Sequence, residues 1–95
     1  MNQPTLLSAI ARWIVSVDFP DLPDGEIAAA RAALTDFIAV AAAGSVTPVV
    51  RNAARYAAQN ERAGACVQQL GRSVRFSPRT AAFLNGTAAH ALDFD

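Results

Sequence analysis

Residues 77–95 read SPRTAAFLNGTAAHALDFD and combine a helix start signal with a histidine and two aspartates in the last six positions. Ser77 is the predicted N-cap, and Pro78 follows at the first helical position, where a missing N–H removes no helical hydrogen bond. Small and apolar residues then recur at helical spacing. They predict the buried stripe of a last helix, formed by Ala81, Leu84, Ala88 and Ala91.

The polar residues at the end of this segment are candidates for chemistry. A helix through His90 and Asp93 would place both on one face, since they lie three residues apart. Asn85 would lie on about the same side as Asp93, whereas Asp95 would be turned further round. A histidine beside a carboxylate can carry protons or hold a water molecule. The alternative is structural: His90 supports the helix end, and the aspartates are solvated.

The same residues could offer one nitrogen and two oxygens to a hard divalent metal ion. This spacing is a weak metal signature, because established sites use more ligands than the segment contains. We therefore predict no metal and no cofactor, with a two-ligand metal site as the open alternative.

A short β-hairpin is predicted near residues 66–76, before the last helix. The strand-like stretches CVQQL and SVRFS flank Gly71 and Arg72 there. Upstream, Thr47 and Pro48 repeat the N-cap and first-position signal and predict a further helix. The buried side of that helix should comprise Val50, Ala53, Ala54 and Ala57.

Two more helices are predicted in the N-terminal half. The first covers about residues 5–17 and ends before a stretch with two prolines and a glycine. The second covers about residues 24–43, with Gly44 as its C-cap. Its predicted apolar face comprises the large residues Ile27, Leu34, Phe37 and Ile38, followed by Ala41. The predicted fold class is therefore all-α, mainly helical with one short β-hairpin.

Asp36 interrupts the alanine-rich side of the second helix, where its helical neighbours include Ala32, Ala33, Ala39 and Val40. A carboxylate in a tight seam between helices must be hydrogen-bonded, because an unpaired buried charge is costly. We therefore predict a structural role for Asp36, as an acceptor from a neighbouring backbone or from an arginine.

The amino-acid composition argues against a nucleic-acid-binding protein and indicates closely packed helices. The chain has 95 residues, no net charge and only 17% charged residues. All eight basic residues are arginines, and their scatter along the chain argues against a nucleic-acid-binding stripe. Alanine makes up about a quarter of the residues, well above ordinary usage. So much alanine predicts closely packed helices with a small hydrophobic core of their own. It therefore also suggests a segment that packs against a larger structure.

The sequence also predicts a cytoplasmic protein that does not enter a membrane. Cys66 is the single cysteine, which excludes an intrachain disulfide and fits a reducing compartment. The N-terminus lacks the basic region of a signal peptide. The longest apolar stretch, residues 27–43, contains Arg31 and Asp36 and is shorter than a membrane span of about 20 residues.

Three segments together resemble a known family. They are a leading amphipathic helix, the helix in DLPDGEIAAARAALTDFIAVAAAGS, and the tail GRSVRFSPRTAAFLNGTAAHALDFD. Their order resembles the N-terminal part of the MmgE/PrpD family, which includes 2-methylcitrate dehydratase and cis-aconitate decarboxylase. NGTAAHALDFD is the most specific of these signals. The resemblance covers essentially residues 1–95, as a partial N-terminal helical domain.

This resemblance implies a metal-independent lyase, with some epimerases in the family, that acts on small polycarboxylates. It implies an all-helical domain, a smaller α/β domain, an active site between them and a homodimer. The aspartate that opens the DFD stretch lines the family's pocket, which makes Asp93 the expected catalytic residue. His90, Asp95 and Asn85 are expected to bind substrate or to lie beside the site.

The sequence departs from the family pattern after Asp95. The family motif continues with another acidic residue, a hydroxyl residue and histidines, none of which is present here. We therefore expect a fragment that is inactive alone, and the choice among dehydration, decarboxylation and epimerisation stays open. The alternative is a free-standing small helical module that binds a partner through its alanine-rich faces without catalysis.

Overall fold

The computed structural model describes residues 3–61 and 64–93, and most of them are helical. Helices α1 (Leu6–Ser16) and α2 (Asp24–Gly44) are separated by a 3-10 turn, Phe19–Asp21. Helix α3 (Pro48–Asn60) precedes strands β1 (Val67–Gln68) and β2 (Arg75–Phe76), and α4 (Pro78–His90) follows them. The predicted all-α class with one short hairpin is confirmed.

Both predicted N-caps, Thr47 and Ser77, stand at the N-cap positions of their helices, but only the side chain of Ser77 completes a capping hydrogen bond. Thr5, which the sequence did not single out as a cap, caps α1 in the same way as Ser77. The side chain of Thr5 accepts from Ser8 N–H at 3.2 Å, and that of Ser77 accepts from Thr80 N–H at 3.4 Å. Thr47 precedes α3, but its hydroxyl instead donates to the carbonyl of Gly44 at 2.7 Å. Gly44 is the last residue of α2, so it lies within the helix and not at the predicted C-cap position after it.

Contacts divide the chain into two units, Met1–Ala32 and Ala33–Asp95. The first unit contains α1, the 3-10 turn and the first part of α2. The apolar side of α1 is open, since no residue of this helix is buried. Its large side chains Leu6, Ile10, Trp13 and Ile14 are between 45% and 77% exposed. The first unit therefore supplies an amphipathic helix without the core that such a helix normally covers.

The core of the second unit lies between α3, α4 and the hairpin. Val50 packs with Ala88, while Ala54 packs with Ala81 and Leu84, so α3 and α4 run antiparallel. The two strands are also antiparallel, and Val67 pairs with Phe76, whose buried ring joins the same core. The predicted buried stripes of α3 and α4 are confirmed, with Ala53, Ala57 and Ala91 partly buried at their edges.

Two glycines allow close backbone approaches around this core. A Cβ at Gly44 would overlap the carbonyl oxygen of Ala88, so the end of α2 lies directly on α4. At Gly71, which has a φ of +77°, a Cβ would lie 2.9 Å from the carbonyl oxygen of Ala42. Glycine is required at both positions, and the end of α2 is held between α4 and the hairpin turn.

The predicted closed seam around Asp36 is absent. Asp36 is exposed, and so are Ala32, Ala33 and Ala39 beside it. The apolar side of α2 is open as well, with Leu34 at 60% and Ile38 at 44% exposure. The prediction failed because it assumed a neighbour on each side of α2, whereas burial in this helix is confined to Ala41 and Gly44 at its end.

The length of α2 also corrects the expectation that it is too short for a membrane. Its 21 residues make it long and apolar enough to cross one, by length and composition alone. The core helices of soluble proteins pass the same test, so this is weak evidence for a span. The cytoplasmic location and the absence of a membrane contact stay predictions.

We predict that Gly44→Ala destabilises the second unit, because the added methyl group overlaps backbone that cannot rotate away. Overpacking of this kind reduces the free energy of unfolding by about 1–3 kcal/mol. Gly86→Ala is the matched control, since the same methyl group meets nothing within 4 Å there. Gly86→Ala should raise the free energy of unfolding by about 0.5–1 kcal/mol, because alanine is the better helix former in the interior of α4. Urea unfolding of both variants is the measurement, and equal stabilities would contradict the close packing of α2 on α4.

We also predict a pH-dependent contribution from Glu61, whose carboxylate accepts from the backbone N–H of Ser77 at 3.1 Å. Hydrogen bonds from the side chain and the backbone of Ser77 lower the pKa of Glu61, although partial burial opposes them. The folded pKa therefore lies below the unfolded value of about 4.3. The stabilisation is complete above that value and is lost as the pH falls through the folded pKa.

Thermal unfolding between neutral and acidic pH tests this contribution. Glu61→Gln should lower the melting temperature near neutrality and should flatten its acid dependence relative to the unmodified chain. Asp36→Asn serves as the control, because it removes an exposed carboxylate of α2 and leaves the hydrogen bond between Ser77 and Glu61 in place. Identical acid profiles for the Glu61→Gln variant and the unmodified chain would contradict the assignment.

Candidate functional site

The predicted site residues lie at the C-terminal end of α4. The helix ends at His90, and the backbone N–H of Asp93 then donates to the carbonyl of His90 at 3.1 Å. Asp93 has a φ of +49°, in the left-handed region that aspartate enters more readily than most residues. The prediction that His90 and Asp93 share a helical face is therefore wrong, because the chain leaves the helix between them.

Both candidate side chains are open to solvent. His90 and Asp93 are exposed, and neither side chain makes a hydrogen bond to the residues that the structure describes. An exposed carboxylate on a turn can accept a proton or a hydrogen bond from an incoming group. It does not by itself position a substrate, which requires several groups within reach. The catalytic assignment of Asp93 and the site-adjacent assignment of His90 stay predictions.

Asn85 faces the hairpin and joins it to α4. Its side-chain oxygen accepts from the backbone N–H of Leu70 at 2.9 Å, in a partly buried position. This bond satisfies a backbone donor just beyond β1, and it gives Asn85 a structural task that the sequence did not predict. The prediction that Asn85 and Asp93 lie on the same side of one helix is also wrong, because Asp93 lies beyond the end of α4.

Asp95 lies outside the described residues, as does Phe94 before it. Within residues 3–61 and 64–93, no group of three histidine, cysteine or acidic side chains could hold a metal ion. Because Asp95 lies outside these residues, the two-ligand metal site stays an open alternative.

Gln69 is a buried polar residue that the sequence did not single out. Its side chain is fully buried, and its amide oxygen and nitrogen find no partner among the described residues. Gln68 beside it is exposed and donates from Nε2 to the carbonyl of Arg72 at 3.0 Å. Gln69 directly follows β1, and the period-two pattern of an extended chain, which places Gln69 on the side of Val67, is the signal that could have separated the two glutamines.

Three arginines that are scattered in the sequence line one groove in the structure. Arg51 and Arg55 come from α3, and Arg72 comes from the hairpin turn. The groove has a volume of about 420 Å³, and its remaining lining is apolar: Ala54, Ala58, Val74 and Phe76. A second groove of about 280 Å³ lies on the other side of Val74 and Phe76 and contains Glu61 together with Arg75. Sequence spacing shows Arg51 and Arg55 one helical turn apart, but only the tertiary structure adds Arg72.

The sequence of the chain, including the segment at the C-terminal end of α4, matches one known protein family. The MmgE/PrpD N-terminal domain is the family whose sequence model matches, over residues 8–95, a span that includes α1 from its third residue onward, all of α2, α3 and α4, the hairpin and Asp93. No curated protein and no solved structure matches the chain. The family match covers far more than half of the sequence, and it agrees with the helical architecture. The chain therefore belongs to the MmgE/PrpD family and carries the N-terminal domain of that family.

Proposed function

We propose that this chain supplies the N-terminal helical domain of a lyase that acts on small polycarboxylates, of the 2-methylcitrate dehydratase or cis-aconitate decarboxylase kind. The observation that carries the proposal is the family match over residues 8–95, which extends through the HALDFD segment. Lyase chemistry is general in this family, whereas the particular substrate and reaction are part of our proposal.

In this proposal Asp93 carries a proton or holds the substrate. A dehydratase removes a proton from one carbon and a hydroxyl group from its neighbour, and a decarboxylase protonates the carbon that loses carbon dioxide. Both reactions require a positioned proton carrier. The carboxylate of Asp93 stands exposed on a left-handed turn, accessible to groups from elsewhere in an intact enzyme. His90, three residues before it, is proposed to lie beside the substrate and not to carry the reaction.

The open faces of α1 and α2 support the idea that this domain belongs to a larger assembly. Trp13 is 57% exposed and Leu34 is 60% exposed, and large apolar side chains of this kind are usually covered in a stable protein. We propose that the rest of a full-length enzyme, and its second subunit in a homodimer, covers these faces. We also propose a cytoplasmic location, in which α2 is a core helix and not a membrane span.

A free-standing helical interaction module is the second candidate. The exposed amphipathic side of α1 favours it, because an open apolar stripe on a helix is a common protein-binding surface. Such a module should be monomeric or a defined oligomer, with cooperative unfolding. A severed part of an enzyme should instead bind a hydrophobic dye and aggregate.

We predict that the purified 95-residue chain does not convert 2-methylcitrate or cis-aconitate. Its described residues present one exposed carboxylate at the α4 end, without the cationic partners that a polycarboxylate needs there. Loss of substrate and formation of product, followed by liquid chromatography, is the measurement. Turnover above that of a buffer blank would overturn the predicted inactivity, and disappearance of that turnover in Asp93→Asn would exclude a contaminant.

We predict that Asp93→Asn lowers kcat/KM by about 10²–10⁴ in an active enzyme that carries these residues as its N-terminal domain, as is typical for loss of a general acid or base. Asparagine has the shape of aspartate and also tolerates a left-handed backbone, so the turn should persist. The experiment needs either a longer gene product or a chimaera in which residues 8–95 replace the same domain of a family lyase.

The matched control for this experiment is Glu26→Gln, which removes a carboxylate from an exposed position in the first turn of α2, away from the middle of the helix. It should leave kcat/KM unchanged, and both variants should unfold at the temperature of the unmodified enzyme. An Asp93→Asn enzyme with undiminished kcat/KM would remove Asp93 from the mechanism.

A further inference from the structure

The arginine-lined groove, formed by Arg51, Arg55 and Arg72 around an apolar floor, has the features of an anion site. Arg51 and Arg55 lie one turn apart on the exposed side of α3. Ala54 and Phe76, which are 8% and 2% exposed, form part of the floor. The volume of about 420 Å³ falls within the range usual for small-molecule sites, about 300–1,000 Å³.

The charges in this groove are not balanced by its own lining. Three arginines line it, and no acidic residue is among the described residues that do so. Like charges four residues apart on a helix repel, and that repulsion falls when an anion lies between them. The neighbouring groove differs, because Glu61 accompanies Arg75 there. The imbalance is therefore a property of one groove and not of the whole surface.

Arg72 is held in place at its backbone. Its N–H donates to the carbonyl of Gln69 at 3.2 Å, and its own carbonyl accepts from Gln68 Nε2 at 3.0 Å. The residue is half-buried, in contrast to the exposed Arg51 and Arg55. An arginine whose backbone is fixed loses less freedom when it binds a ligand, which favours binding.

We propose that this groove binds a small multivalent oxyanion, with two or more phosphate or carboxylate groups, through Arg51, Arg55 and Arg72. Planar guanidinium groups donate paired hydrogen bonds to both kinds of oxyanion. The apolar floor contacts the part of the ligand between its charged groups. The groove shares no lining residue with the candidate site of Asn85, His90 and Asp93, so binding there can be tested apart from catalysis.

Isothermal titration calorimetry of the 95-residue chain at low ionic strength tests the proposal. Inorganic pyrophosphate is the phosphate probe, and propane-1,2,3-tricarboxylate is the carboxylate probe. At least one should bind saturably at one site, with an affinity that falls as salt is added. Tighter binding of pyrophosphate assigns a phosphate ligand, and tighter binding of the tricarboxylate assigns a carboxylate ligand.

The decisive variant is Arg51→Gln/Arg55→Gln, which should weaken binding at least ~10-fold, as loss of charge-assisted hydrogen bonds predicts. Its matched control is Arg75→Gln/Arg79→Gln, which removes two charges from exposed positions outside the groove and should change the affinity less than ~2-fold. Arg55→Gln alone gives a second test in case the double variant folds poorly, and thermal unfolding checks each variant. Absence of saturable binding of both probes, or equal losses in the two double variants, would overturn the proposal.

Discussion

Close packing of α4 on its neighbours is the contact on which the second unit depends. Ala81, Leu84 and Ala88 are buried along one side of this helix, against α3 and the hairpin. The end of α2 lies so close to Ala88 that Gly44 cannot carry a side chain. Small residues allow the backbones to approach closely. The dispersion contacts made at this short distance stabilise a core that has few large side chains. The core is therefore thin but tightly fitted.

This packing places the candidate catalytic residue. Because α4 is held along most of its length, its last residue His90 and the turn that follows, with Asp93, lie at a defined end of the unit. The left-handed backbone of Asp93 takes the chain out of the helix there. The catalytic role of Asp93 stays a prediction, because the exposed side chain has no partner among the described residues that would position a substrate.

The same packing leaves other surfaces open. The large apolar residues of α1 and the middle of α2 are exposed, which fits a domain that other parts of an enzyme cover. The arginines of α3 and the hairpin turn are brought together because β2 packs its Phe76 under them, against Ala54 and α4. One packed core thus positions two unrelated polar surfaces, the α4 end and the arginine-lined groove.

The sequence by itself determined the helices, the hairpin and the family. Helix periodicity, the Ser77 cap and the paired strand-like stretches depend on neighbouring residues, so local pattern was enough. Asp93 as the candidate catalytic residue came from the resemblance of the HALDFD segment to the family, and it stays a prediction.

Only the tertiary structure decided which faces are covered and where the polar groups meet. The exposure of Asp36, the contact of Asn85 with the hairpin, the burial of Gln69 and the convergence of Arg72 on Arg51 and Arg55 all depend on residues far apart in sequence. The physical reason is that hydrophobic periodicity shows which face of a helix is apolar. It does not show which other segment of the protein packs against that face.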